Sequence, residues 1–251
     1  MFSAVWAGAV SVALAGNAVS VKGSIRHIYE VEGGSVAVGR VVVVNPSDTP
    51  LDVLVRPIPP TPQGGAAARS NVDWISYTPS TVQLAPHGET SLEWRIVVPP
   101  DAAPGSHWSW LEVAPAPQSV VDEPTKERRL QLQSRLSYWV TLVVNVPGGL
   151  AAVEFDRPRL EGQGEQATLA IPVKNLGTLR IVPEVWLELT SESGEPLERR
   201  NAETSAIYPG ESGSFAVPLN GIPLGRYSGI LYADPGSGGN VSGTRFDIEL
   251  R

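Results

Sequence analysis

The sequence predicts an all-β protein made of two tandem immunoglobulin-like β-sandwiches. Three observations lead there. Almost no segment carries apolar residues at helical period; short runs of Val, Leu, Ile and Thr are broken by turn residues at intervals of about 8 to 12; and the order of these runs recurs in the second half. The 25 Gly and 23 Pro among 251 residues are spread along the chain, as many short strands joined by turns require. The length suits two domains of about 100 to 150 residues each.

In the first half a β-branched run from Ser35 to Val44 stops at Asn45-Pro46-Ser47-Asp48. Leu51 to Val55 resumes it before a Pro- and Gly-rich loop from Pro57 to Gly65. Trp74 to Tyr77 and Thr81 to Leu84 follow, then the turn Pro86-His87-Gly88 and the strand Ser91 to Val98, with Leu92, Trp94 and Ile96 on one face. Turns at Pro99-Pro100-Asp101 and Pro104-Gly105 introduce His107 to Val113.

The second half repeats this order. Ala167 to Lys174 stops at Asn175-Leu176-Gly177, Ile181 to Leu189 resumes, Pro209-Gly210 turns, and Ser214 to Leu219 leads to Gly225. Gly105 to Val113 aligns without a gap on Gly225 to Ala233, which is the clearest internal match. Val241 to Leu250, with Phe246, Ile248 and Leu250 at period two, closes the second sandwich. The boundary is expected at Pro147-Gly148-Gly149, giving domains of 19–147 and 148–251.

Residues 1–18 read as a signal peptide: an apolar run too short to span a bilayer, ending in the small-x-small pattern Ala13-Leu14-Ala15. Export to a periplasmic or extracytoplasmic location follows from that reading. No other stretch has the length and apolarity of a transmembrane helix. A hydrophobic fraction of 42% with 18% charged residues is the composition of a globular chain, and a net charge of -7 argues against a nucleic-acid partner.

Catalysis and cofactors find no support. There is no cysteine, and His27, His87 and His107 are scattered outside any metal-ligand spacing, as ordinary surface or edge residues would be. No Gly-x-Ser-x-Gly elbow occurs, and Pro235-Gly-Ser-Gly-Gly239 lacks the ending of a phosphate loop, so it reads as a hairpin tip. Most of the seven Trp are expected in packing, among them Trp74, Trp94, Trp108, Trp110 and Trp186. Trp139 is the exception: it falls on the polar side of its strand and marks a cleft or partner surface.

The least ordinary segment joins the two halves. A polar loop from Gln118 to Arg129 precedes Leu130 to Val146, whose even positions are apolar except Ser134. At about 3.3 Å per residue such a strand would reach on the order of 50 Å, far beyond the usual strand. Either a bulge near Ser134 or Trp139 divides it or the strand crosses the interdomain corner, or else its N-terminal part, Leu130 to Leu136, lies at an edge and offers alternating leucines to a partner strand.

With these residues in view, the mature chain resembles the PapD-like periplasmic chaperones of pilus assembly: two Ig-like domains, a loop, and a long alternating last strand of domain one. The resemblance implies a non-enzymatic chaperone that donates this strand to an exported subunit and works with an outer-membrane usher. It implies Leu130, Leu132 and Leu136 as donated residues. That family also anchors the subunit's C-terminal carboxylate with an Arg on the first strand and a Lys on the last strand of domain one. Ser24-Ile25-Arg26-His27-Ile28-Tyr29 is similar to the first-strand motif, making Arg26 the candidate anchor. No Lys occurs between Leu130 and Val146, and Arg135 is the nearest cation.

A second resemblance gives the alternative function. Asp73-Trp74-Ile75, Leu84-Ala85-Pro86, Val98-Pro99 and Asp101-Ala102-Ala103-Pro104-Gly105 are also similar to Ig-like domains of bacterial surface proteins, which implies a cell-surface or wall-associated binding protein.

Overall fold

The computed structural model describes residues 17–61, 69–117 and 135–250. The strands of the first half are β1 (Asn17–Ala18), β2 (Ser20–Lys22), β3 (Arg26–Glu30), β4 (Val36–Val44), β5 (Leu51–Ile58), β6 (Ile75–Thr78), β7 (Thr81–Leu84), β8 (Glu89–Val97), β9 (Gly105–Pro115), β10 (Arg135–Leu136) and β11 (Tyr138–Val146). Those of the second are β12 (Val153–Phe155), β13 (Arg159–Glu161), β14 (Thr168–Asn175), β15 (Glu184–Ser191), β16 (Arg200–Asn201), β17 (Ser212–Pro218), β18 (Gly225–Asp234) and β19 (Ser242–Leu250). The architecture is that of tandem Ig-like sandwiches.

In the first half a four-stranded sheet in the order β2-β4-β8-β6 packs on a five-stranded sheet in the order β3-β11-β9-β5-β7. Their inward side chains, including Val41, Leu92, Ile96, Val53, Leu111 and Leu142, form one core. The second half pairs β12, β13 and β17 with β14, and places beside them a four-stranded sheet in the order β16-β15-β18-β19. Its core, separate from the first, runs from Ala151 to Leu250 and contains Ile171, Leu187, Val217 and Leu231. Period-two alternation determines which residues turn inward, so Phe246 and Ile248 pack against this core and Leu250 is buried in it, as their spacing predicts.

The internal repeat is physical as well as sequential. Asn45 and Asn175 end corresponding strands, and both are fully buried. Each donates from Nδ2 to the carbonyl four residues on, Thr49 and Leu179, at 2.8 Å. Each accepts at Oδ1 from the backbone N–H two residues on, Ser47 at 3.0 Å and Gly177 at 2.9 Å. A second Nδ2 bond crosses to another segment, at Ala85 in one half and Ile207 in the other. The amide thus satisfies carbonyls that the turning chain withdraws from its ladder. The ungapped match holds too, because Gly105 pairs with Val146 and Gly225 with Leu250, each opening a ladder with the last strand of its half.

Two expectations need correction. His107 is buried rather than at a surface or edge. Its Nε2 lies 2.8 Å from the Ala103 carbonyl and its ring packs on Trp74 at 4.6 Å, while Nδ1 is buried without a hydrogen-bond partner. Trp186 lies in neither a core nor the interdomain contact. It is half-buried on the outer face of its sheet, stacked on Tyr232 at 5.0 Å beneath the Arg199 guanidinium.

Candidate cleft on the outer face of the first domain

Over its described residues, 135–146, the long alternating segment holds β10 and β11, with Ser137 between them. The cause is a change of neighbour. β10 pairs in parallel with β1, Ala18 against Leu136, while β3 begins its parallel ladder with β11 at Arg26 and Thr141. Between these registers the N-terminal segment crosses to the opposite sheet, where Ser20–Lys22 pairs with β4. Among the described residues, no strand therefore pairs with residues 137–140 on the edge that faces β1 and β3. The gap is about 13 Å long at strand rise. Its other edge is fully paired, since β9 accompanies β11 from Tyr138 to Val146.

Alternation along β3, β11, β9 and β5 builds the outer face of this sheet in rows. Glu30, Asn145 and Ser106 form a hydrogen-bonded line in which Asn145 Nδ2 donates to Glu30 Oε1 and Ser106 Oγ donates to Asn145 Oδ1, both at 2.6 Å. The line ends in the second half, where the Arg180 N–H donates to Ser106 Oγ at 2.6 Å and the Ser106 N–H donates to the Thr178 carbonyl at 2.7 Å. Gly105 permits this approach: its φ is 113°, and a Cβ would lie 2.3 Å from the Thr178 carbonyl oxygen.

The next row is apolar, with Ile28 and Trp108 on either side of Val143. Trp108 is fully buried beneath Tyr208 of the second half, with ring centroids 4.6 Å apart. Then come Arg26, Thr141, Trp110 and Ile58, each opposite the next. The last row places Trp139 opposite Glu112, which is paired with Arg56. Trp110 and Trp139 lie 5.6 Å apart with ring planes at 50°.

At the junction two guanidiniums, Arg180 and Arg26, and one carboxylate, Glu211, act on the Tyr208 phenol. Arg180 lies over the Tyr208 ring, 5.7 Å from its centroid. Burial raises the Tyr208 phenol above its ordinary value; the guanidiniums of Arg180 and Arg26 oppose that rise and Glu211 adds to it. Two donors, Trp108 Nε1 and Arg180 Nε, are buried without an acceptor.

The sequence-derived residues distribute unevenly over this surface. Arg26 is exposed on β3, and its charge reaches Tyr208. Leu136 is 53% exposed beside the edge gap, and Trp139 is 48% exposed on the outer face. Leu130 and Leu132 lie outside the described residues, as does the side chain of Arg135. Arg180 and Tyr208 were not foreseen. Their loops belong to the other half, and only the fold brings them to Trp108.

No known protein family matches the sequence, and neither does any curated protein. Solved structures similar to the chain include several chaperones. The E. coli chaperone DraB is 18% identical, with 96% of this chain and 100% of that one covered at a TM-score of 0.47. The Pseudomonas aeruginosa CupB2 chaperone is 14% identical, with coverage of 92% and 100% at 0.43. The Salmonella enterica SafA pilin in complex with the SafB chaperone gives 16% identity, with coverage of 93% and 97% at 0.45. At such identities and scores, the functional reading rests on the residues of the cleft.

Proposed function

We propose that the protein is a non-enzymatic, extracytoplasmic chaperone that holds an exported polypeptide subunit by strand pairing along β10 and β11, with the subunit's C-terminal carboxylate seated by Arg26 and Arg180. The carrying observation is the edge gap at residues 137–140, which contains exposed Trp139, begins after exposed Leu136 and ends where Arg26 meets Thr141. An edge with exposed apolar side chains is an aggregation hazard unless it has a strand to receive. A partner strand longer than the gap would displace β1, which holds β10 through only two paired residues. Arg180 supplies the second cation that β11 lacks. Leu130 and Leu132 would extend the donated series, the apolar segment ahead of β1 would direct export to the periplasm, and an outer-membrane usher would receive the loaded chaperone.

The surface-binding alternative is favoured by the outward Trp186 and Tyr232 pair. That pair is largely occupied by its own neighbours, because Arg199 covers Trp186 and the indole N–H donates to Glu188 Oε1 at 3.3 Å.

Co-purification from periplasmic extract tests the proposal. Leu136→Glu and Arg26→Ala should each abolish capture of the co-expressed subunit while leaving the fold intact, whereas Leu160→Glu on the second half should not. Undiminished capture by Leu136→Glu and Arg26→Ala would refute strand donation and carboxylate anchoring together.

A further inference from the structure

We propose that Trp110 and Trp139 form an aromatic ledge that reads the last side chain of the captured polypeptide, selecting an aromatic or long aliphatic C-terminal residue. This rests on the carboxylate reading of the cleft and adds a specificity to it.

Register supplies the geometry. Thr141 lies between Arg26 on β3 and Trp110 on β9 in one cross-strand row, and Trp139 stands two residues before it on the same face. At usual strand spacing Arg26 and Trp110 are about 10 Å apart at their backbones, and Trp139 is about 7 Å along from Thr141. A carboxylate at Arg26 is joined to the terminal Cα by a single bond, and the preceding Cα lies only about 3.8 Å further back. The terminal side chain therefore emerges within reach of both rings. Thr141 is the smallest side chain of the row and stands between the cation and the ledge.

Charge and closure favour this occupant. The acidic group nearest the ledge, Glu112, is engaged by Arg56, and Glu30 accepts from Asn145. Arg26 is thus left to meet an anion, with Arg180 held on the Tyr208 ring and Glu211 the acidic neighbour on that side. Trp108 under Tyr208 closes the inner end of the face, whereas Trp139 leaves the outer end open. A half-exposed indole tilted against a half-buried one offers a flat apolar surface beside a cation, suited to a side chain that enters with its own carboxylate.

The test uses short synthetic peptides of alternating apolar sequence ending in Phe, Leu or Ala, each as free acid and as amide, titrated against the full chain by calorimetry. Free-acid Phe and Leu peptides should bind about ten-fold more tightly than Ala. Trp139→Ala should erase that preference, so that Phe, Leu and Ala acids bind alike, and Arg26→Ala should weaken all free acids alike. Equal affinity for Phe, Leu and Ala acids, with Arg26 dependence retained, would overturn the ledge and leave the carboxylate site standing. Acids and amides binding alike, or no binding at all, would overturn the carboxylate site and the ledge with it. Trp139→Phe, which preserves an aromatic surface, should restore most of the preference and separates loss of the ring from loss of packing.

Discussion

Strand β9 of the first domain and strand β18 of the second occupy the same place in their sandwiches, yet they are buried differently. Along β18 buried and more exposed residues alternate from Tyr227 to Asp234, one face in the core and the other toward solvent. Along β9 every residue except Trp110 is buried, because Ser106 and Trp108 lie under Thr178, Arg180 and Tyr208. One strand has become the floor of a junction, and its repeat has remained an ordinary outer face. The difference is one of packing: aromatic residues that would stay at a surface in the second half are here covered by the other domain.

The largest contrast should appear between two tryptophans. Trp108→Ala should cost about 3–5 kcal/mol, since it empties a fully buried site beneath Tyr208. Trp186→Ala, on the outer face of the other sandwich, should cost no more than about 1.5 kcal/mol from its contacts with Tyr232 and Arg199. Denaturant unfolding of both variants checks this, and equal costs would mean that the junction is not packed as described.

The asparagine corners should behave alike where the strands do not. Asn45→Ala and Asn175→Ala each strand buried backbone groups, at about 1–3 kcal/mol per corner. Fluorescence-detected unfolding should give similar losses for the two variants, localised to opposite halves.

Acid should separate the halves again, because all three histidines lie in the first. Burial lowers the His107 imidazole below its ordinary 6.5; the hydrogen bond to Ala103 opposes this and the Arg69 charge reinforces it. The unfolded chain therefore takes up a proton at a pH where the folded chain does not. The stability that His107 contributes is present above pH 6.5, declines as pH falls through 6.5, and levels off below the lowered folded value. Thermal unfolding across pH should show this slope, and His107→Gln should flatten it.

Strand positions were legible because their signal is local: alternation and turn residues together mark β4, β7, β14 and β19 to within a residue or two. The repeat was legible at Asn45 and Asn175, where the same amide meets the same need. His107 was misread because a histidine inside an apolar run has no sequence mark that separates edge from interior. The division expected near Ser134 or Trp139 falls at Ser137; the alternation continues through that point, and the neighbouring strands fix the place. The cleft was half legible. Arg26 and Trp139 stood out, one by motif and the other by falling on the polar side of its strand. Arg180 and Tyr208 did not, since their relevance depends on how one domain meets the other.

The most direct test of the account is amide hydrogen exchange of the protein alone and in complex with its exported subunit, compared over the two domains. Strand donation predicts new protection at residues 137–140, with slower exchange through Arg135 and Leu136 and little change along β15 or β18. Protection confined to the outer face of the second domain, with residues 137–140 exchanging as before, would contradict it.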